Sequence, residues 1–96
     1  MKYEIYQIKI DSDARYEFMD YDWALTHGFN LDHYEKVYEG DVTPASTLEG
    51  TCETLFYKFN MERPKDFKGH SLSVSDIVVV DGQRFYTDSI GFRKIQ

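Results

Sequence analysis

The stretch Gly69–Phe92, GHSLSVSDIVVVDGQRFYTDSIGF, decides the fold expected for this chain. Its uninterrupted apolar run, Ile77–Val80, is typical of a strand that is covered on both faces and therefore lies centrally in a sheet. Asp81-Gly82 follows, and Asp-Gly between β-rich segments is a strong hairpin signal because glycine adopts positive φ at little cost. A second β-rich segment, residues 84–90, returns from this turn. The stretch predicts a central strand and a C-terminal hairpin.

Upstream of this hairpin, the patterns predict strands at Tyr3–Ile10 and Tyr34–Glu39, with Tyr34, Lys36 and Tyr38 on one face of the second strand. Thr47–Asn60 is predicted as a helix that begins with a capping box formed by Ser46 and Glu49. Its apolar residues recur at helical spacing. They are Leu48, Cys52, Leu55, Phe56 and Phe59.

A first helix is predicted at Ala14–His27, ended by Gly28. It carries two apolar stripes. One stripe, expected to face the core, comprises Ala14, Phe18, Tyr21 and Leu25. The other, Tyr16, Met19 and Trp23, is expected either to pack under another element or to face a partner.

The predicted order β-α-β-α-β-β indicates a single α+β domain over residues 1–96. We expect a small mixed or antiparallel sheet of about four strands with two packed helices. Aromatic residues make up 17% of the chain, which supplies large side chains for a core.

The charge of the chain is acidic and unevenly distributed. There are 17 acidic and 11 basic residues in all, a net charge of −6. Residues 1–53 hold twelve acids and four bases (net −8), whereas residues 54–96 hold five acids and seven bases (net +2). This balance disfavours direct binding to nucleic acid and leaves a basic protein partner open. With one cysteine and no apolar leader or spanning segment, we expect a cytoplasmic protein that does not enter the membrane.

Few residues suggest chemistry. Cys52 lies on the apolar stripe of the second helix, where a thiol is inert. The three histidines lack metal-ligand spacing, so neither a metal nor a cofactor is expected. Asp20 and Asp22 are two apart on a predicted helix and would point to different sides. His70, Ser71 and Asp76 are the residue types of a hydrolase triad, but no nucleophile motif surrounds the serine.

The serine- and aspartate-rich segments are predicted to shape bends or to form a recognition surface, because short polar side chains bond readily to nearby backbone. The residues concerned are His70, Ser71, Ser73, Ser75, Asp76, Asp88 and Ser89.

Several segments in one order resemble the YodL-like family: FMDYDW (18–23), YEKVYEG (34–40), LFYKFNMERPKDFKGHSLSVSDIVVVDG (55–82) and FYTDSIGF (85–92). The resemblance implies a small bacterial domain, common on conjugative and other mobile elements of Firmicutes and sometimes encoded beside antirestriction-type genes. It implies no enzymatic activity, cofactor or catalytic residue. It indicates a cytoplasmic accessory protein of a mobile element.

Three hypotheses follow. The first is a non-enzymatic module that binds an unidentified protein through Tyr16, Met19, Asp20, Asp22 and Trp23, since Trp and Tyr are favoured interface anchors. The second is an acidic anti-defence inhibitor, of antirestriction or anti-CRISPR type, that mimics DNA. Its carboxylates would be those of Asp20, Asp22, Asp32, Glu35, Glu39 and Asp41. The third and most remote is a small hydrolase that uses His70 and Asp76. The oligomeric state does not follow from the sequence.

Overall fold

The computed structural model describes residues 1–95, which form a five-stranded antiparallel sheet with a helix on each face. The α+β class is confirmed and the sheet is antiparallel, but the expected number of strands, about four, is wrong. The sheet order is β2-β1-β3-β4-β5. The strands are β1 (Lys2–Ile8), β2 (Tyr34–Asp41), β3 (Ile77–Val80), β4 (Gln83–Thr87) and β5 (Phe92–Ile95); the helices are α1 (Tyr21–Thr26) and α2 (Leu48–Met61).

The predicted central strand is confirmed. β3 pairs with β1 on one side and with β4 on the other. Asp81 and Gly82 both have positive φ, 52° and 74°, and they form the two-residue loop between Val80 and Gln83. Positive φ at both central positions is the pattern of a type I′ turn, whose twist matches that of the flanking strands.

The additional strand, β5, follows a turn at residues 88–91, where the sequence indicated a bend at Asp88 and Ser89 but no further strand. Residues 84–90 were predicted as one strand, yet β4 ends at Thr87. The Asp88 amide then donates to the Gly91 carbonyl at 3.0 Å, and Gly91 has a φ of 73°. The short β5 contains the exposed basic residues Arg93 and Lys94, so its apolar pattern is too brief to mark a strand.

Each face of the sheet has its own core. The face under α2 is formed by Tyr3, Ile5, Cys52, Leu55, Phe59, Leu72, Val78, Val80 and Phe85. The opposite face, which α1 and the chain before it cover, is formed by Ile8, Tyr16, Ala24, Tyr34, Ile77, Tyr86 and Ile95. Successive side chains of a strand point to opposite faces, so the continuous run in β3 supplies both cores.

Helix α2 lies where its periodicity predicts, but its cap is different. Thr47, not Ser46, is the N-cap, and its side-chain oxygen accepts from the Gly50 amide at 2.9 Å. The predicted capping box is therefore wrong, because the N3 position is Gly50, which has no side chain to bond back to the cap. Cys52 is fully buried, and burial raises the pKa of its thiol to about 12, which keeps it protonated and unreactive. Within residues 1–95, both helices fall short of the length and apolar character needed to cross a bilayer.

The first helix is the main error of the sequence prediction. α1 has six residues, and the segment 14–20 is irregular. Phe18 has a φ of 68°, which no α-helix accommodates. Asp20 is the N-cap, and its carboxylate accepts from the Trp23 amide at 2.8 Å. The helix thus begins where the sequence placed its middle.

A β-bulge in β2 makes the prediction that Tyr34, Lys36 and Tyr38 share one face wrong. Ile5 pairs with Tyr38 and Tyr6 pairs with Lys36, so Val37 is an extra residue opposite β1. An extra residue reverses the side-chain alternation beyond it. As a result Tyr34 packs in the core under α1, whereas Tyr38 packs against the core under α2.

Candidate functional site

Three segments outside the strands, residues 16–23, 70–76 and 88–91, meet at one end of the sheet, which we call the loop end. β3 begins at Ile77, β4 ends at Thr87 and β5 begins at Phe92, so the chain enters and leaves these three strands at this end. Both sets of residues that the sequence singled out as candidates belong to these segments.

Hydrogen bonds between the segments hold the loop end together. The Phe18 amide donates to Ser75 Oγ at 3.0 Å. The Tyr86 hydroxyl donates to the Met19 carbonyl at 2.7 Å. The Tyr21 amide donates to Asp88 Oδ1 at 3.3 Å. These contacts span more than fifty residues of sequence, and they make the three segments one surface.

Two of these joined positions have strained backbone. Phe18 and Ser75 have φ values of 68° and 85°, a region that residues with a side chain rarely occupy. Such conformations cost about 1–3 kcal/mol each and persist only when surrounding structure enforces them. The bond from the Phe18 amide to Ser75 Oγ connects the two. Ser75 is itself buried, and its carbonyl accepts from the Tyr34 hydroxyl at 2.6 Å.

The strained Phe18 presents its ring to solvent. Its side chain is 57% exposed, and Met19 and Trp23 nearby are 38% and 42% exposed. Trp23 stacks on the His27 ring, with centroids 3.8 Å apart and planes inclined by 5°. The exposed carboxylate of Asp22 lies 3.4 Å from the Arg93 guanidinium. The loop end therefore combines exposed apolar side chains with acidic groups.

Tyr16 does not belong to this surface, contrary to one of the expectations from sequence. It is fully buried, and its hydroxyl lies 3.2 Å from the Asn30 carbonyl and 2.9 Å from His33 Nδ1. Phe18, assigned from its spacing to the buried stripe, is exposed instead. Because residues 14–20 are not helical, helical spacing says nothing about which of their side chains face the core.

Asp76 is a buried carboxyl group at the loop end. Its side chain is 2% exposed, and Oδ2 accepts from the Ser73 amide at 2.8 Å and from Gln7 Nε2 at 3.0 Å. Removal from water raises the pKa of this carboxyl to about 7, while those hydrogen bonds and nearby His70 act in the opposite direction. Gln7, which no pattern in the sequence marked as a site residue, is a polar residue buried within the apolar strand β1.

His70 is not arranged as the base of a serine hydrolase. Its Nδ1 lies 2.7 Å from the Ser71 carbonyl, and Nε2 lies 3.9 Å from Asp76 Oδ1. Across residues 1–95, neither ring nitrogen bonds to a serine hydroxyl, whereas a triad requires that contact. The Ser73 hydroxyl instead donates to the Ser71 carbonyl at 2.9 Å.

The remaining predicted residues, Asp88 and Ser89, begin the turn between β4 and β5. Asp88 Oδ1 accepts from the Ser89 amide at 2.8 Å, and Oδ2 lies 3.5 Å from Arg93 Nη1. On the α2 side, this turn borders a cleft of about 300 Å³. Its walls come from α2, from the segment 70–76 and from the chain around the turn: Glu53, Phe56, Val74, Thr87, Asp88, Ser89, Gly91 and Phe92.

Comparison with known proteins agrees with the resemblance seen in the sequence. The family model described as YodL-like domain matches residues 2–96. An uncharacterized protein of Acanthamoeba polyphaga mimivirus is 30% identical over 109 residues, which cover 99% of this chain and 93% of that protein. No solved structure matches the chain.

Proposed function

The chain belongs to the YodL-like domain family, and we propose that it is a non-enzymatic protein-interaction domain that binds its partner at the loop end. The observation that carries this proposal is the backbone conformation of Phe18 together with the exposure of its ring. Its backbone is held in a strained conformation while its ring is 57% exposed. Strain of this kind is concentrated at functional sites, and here it displays an aromatic side chain rather than burying one.

The neighbours of Phe18 extend the apolar surface. Met19 and Trp23 are partly exposed, and aromatic residues and methionine are enriched at protein interfaces. The hydrogen bonds to Ser75 and Tyr86 fix the backbone of residues 18 and 19. A prearranged surface loses little conformational entropy on binding, which favours affinity.

The charges around these side chains indicate the chemistry of the partner. Glu17 and Asp22 are exposed, and Asp20 is half-buried at the start of α1. A partner with complementary basic residues would be steered to this surface and oriented on it. We therefore propose a basic protein as the partner. The setting that we propose is that of a cytoplasmic accessory protein of a bacterial mobile element.

A crosslinked capture from the native host tests the proposal, with nuclease treatment to remove bridging nucleic acid. We expect Phe18→Ala and Trp23→Ala to abolish capture of a specific protein. Tyr57→Ala is the matched control, because Tyr57 is an equally exposed aromatic residue, at 60%, on α2. We expect it to retain the partner.

The partner must then bind directly. Purified components should associate in a salt-sensitive manner, because exposed charges are screened as ionic strength rises. A captured protein that all three variants retain equally would contradict the proposal, as would failure of the purified proteins to bind.

The anti-defence alternative uses Asp20 and Asp22 of the loop end together with a second part of the surface. The edge strand β2 and the 3₁₀ turn at Leu31–His33 before it carry four exposed acidic residues, Asp32, Glu35, Glu39 and Asp41. A DNA mimic would bind a nuclease through these carboxylates. Their replacement by amides should then abolish protection of DNA from that nuclease, whereas Phe18→Ala should not.

The hydrolase alternative makes a different prediction. If the protein is a small hydrolase, a His70→Ala variant that still folds should lose the protein's function.

A further inference from the structure

Two titratable side chains of the loop end face each other next to Phe18. Asp76 Oδ1 lies 3.9 Å from His70 Nε2. The Asp76 side chain is 2% exposed, whereas that of His70 is 40% exposed. The His70 ring packs edge to face against the Phe18 ring, with centroids 5.9 Å apart. His70 therefore connects a buried carboxyl group to the exposed ring of the proposed interface.

The hydrogen bonds around this pair determine which atoms can share a proton. Gln7 Nε2 donates to the His70 carbonyl at 2.9 Å and to Asp76 Oδ2 at 3.0 Å, and its approach to His70 Nδ1 is longer, at 3.3 Å. Oδ2 also accepts from the Ser73 amide. His70 Nδ1 lies 2.7 Å from the Ser71 carbonyl, so this nitrogen carries a hydrogen. Among the described residues, Asp76 Oδ1 and His70 Nε2 remain as two acceptors that face each other.

One proton can join these two atoms. Either Oδ1 of the neutral acid donates to Nε2, or Nε2 of the imidazolium donates to Oδ1. A side-chain movement of about 1 Å brings the atoms to hydrogen-bond length. Without the proton, a carboxylate oxygen faces a nitrogen lone pair and the two repel. With a second proton both atoms are donors, so the bond exists only within a window of pH.

The groups near Asp76 set the upper limit of this window. Burial is the main cause that raises the pKa of this carboxyl to about 7, and the Glu17 carboxylate acts in the same direction. His70 acts in the opposite direction. The hydroxyls of Tyr34 and Tyr86 also lie near Asp76, but burial raises their pKa values too, so both stay neutral. The proton is therefore lost as pH rises through neutrality.

We propose that the proton shared by Asp76 and His70 holds the Phe18 ring in place. While the pair is bonded, the His70 ring is fixed against the Phe18 ring. When the proton is lost at higher pH, His70 is released toward solvent and the Phe18 ring loses its support. The Phe18 amide stays bonded to Ser75, so the ring changes while the fold does not. Resting on the function proposed above, partner binding weakens as pH rises above neutrality.

NMR of the full chain tests this inference without a partner. The probe is the nuclear Overhauser effect between the ring hydrogens of His70 and Phe18, recorded beside the ¹³C shift of the Asp76 carboxyl. We expect the effect to fall at least about twofold between about pH 6.5 and about pH 8, with the midpoint of the carboxyl titration. An effect that stays constant, or that changes with a different midpoint, would overturn the proposal.

Asp76→Asn separates the proton from the geometry. Its amide nitrogen can donate to His70 Nε2 at every pH, as the neutral acid does, so the contact between the rings should persist at about pH 8. His27→Gln is the control, because His27 is an exposed histidine stacked on Trp23. We expect it to leave the pH dependence at Phe18 unchanged. Loss of the contact in Asp76→Asn, or loss of the pH dependence in His27→Gln, would also overturn the proposal.

Failure of this inference is distinguishable from failure of the proposed function. If capture of the partner is insensitive to Phe18→Ala while the ring contact still depends on pH, the function fails and the proton-dependent support of Phe18 stands. If capture requires Phe18 but the ring contact does not respond to pH, the function stands and the inference fails.

Discussion

Helix α2 and the segment 14–26 both carry apolar residues at helical spacing, yet only α2 is helical throughout. α2 has 14 residues, begins at a capping threonine and lays one stripe on a sheet face. In the segment 14–26 only the last six residues are helical. Tyr16 is buried and bonded, Phe18 is exposed and strained, and Asp20 caps the short helix. Apolar residues at helical spacing therefore predict a helix when they all pack on one surface, as in α2. The same spacing misleads when neighbouring residues differ in burial, as in the segment 14–20.

The largest effect on the free energy of unfolding is expected from a substitution in the core under α2. Phe59 is fully buried and packs edge to face against Tyr3 and Phe67. Phe59→Ala should lower the free energy of unfolding by about 3–5 kcal/mol, because it leaves a cavity. Tyr57→Ala on the exposed face of the same helix should change it by less than about 0.5 kcal/mol. Urea denaturation measures both, and similar losses would show that α2 does not have one buried face.

At the loop end, the next largest expected effect is that the free energy of unfolding depends on pH through Asp76. Its pKa is raised from 3.8 to about 7 in the folded protein, so the folded state binds more protons between these values. Stability should therefore fall as pH rises through this window. The cause is the burial of Asp76, because ionising this carboxyl at higher pH places a charge in a site removed from water.

Asp76→Asn is the matched variant, since its amide oxygen can still accept from Ser73 and Gln7. The difference in unfolding free energy between wild type and variant should change across the window, in favour of the variant at higher pH. A difference that stays constant from about pH 4 to about pH 8 would contradict the burial of this charge.

A smaller effect is expected from the bond between the two strained residues. Ser75→Ala removes the acceptor for the Phe18 amide and should destabilise the protein by about 1–2 kcal/mol. Ser73→Ala is the control, because among residues 1–95 the Ser73 hydroxyl bonds only to the nearby Ser71 carbonyl. The Phe18 amide should exchange its hydrogen faster in the Ser75 variant. Unchanged exchange would mean that Ser75 does not hold Phe18 in place.

The smallest effect on stability is expected at Trp23. It is 42% exposed and contacts His27, so Trp23→Ala should change the unfolding free energy by less than about 1 kcal/mol. Acrylamide should quench the fluorescence of Trp23, the single tryptophan, efficiently in the folded protein. A blue-shifted signal that resists the quencher would place Trp23 in the core and remove it from the proposed interface.

The features predicted correctly were those with local causes. The run Ile77–Val80 requires apolar surroundings on both sides, and Asp81-Gly82 adopts the positive φ values of its turn. The acidic N-terminal half was also read directly from composition. Met19, Asp22 and Trp23, candidate interaction residues from the sequence, lie at the surface, and Asp20 caps a helix that begins later than expected; their binding to a partner stays a prediction.

The errors concern residues whose placement depends on distant partners. Tyr16 is buried because Asn30 and His33 offer its hydroxyl partners, and Phe18 is strained because Ser75, 57 residues away, accepts from its amide. The bulge at Val37 depends on the register with β1. Each of these causes lies at least 14 residues away along the chain.

The sequence by itself determined the class of the fold, the central strand with its hairpin, helix α2 and the charge of each half, because periodicity, turn chemistry and composition act locally. Only the tertiary structure decided the fifth strand, the short α1, the exposure of Phe18 and the burial of Asp76. It also brought three separate segments to one end of the sheet. Those outcomes follow from contacts between residues far apart in the chain, which stabilise backbone conformations that local preference alone disfavours.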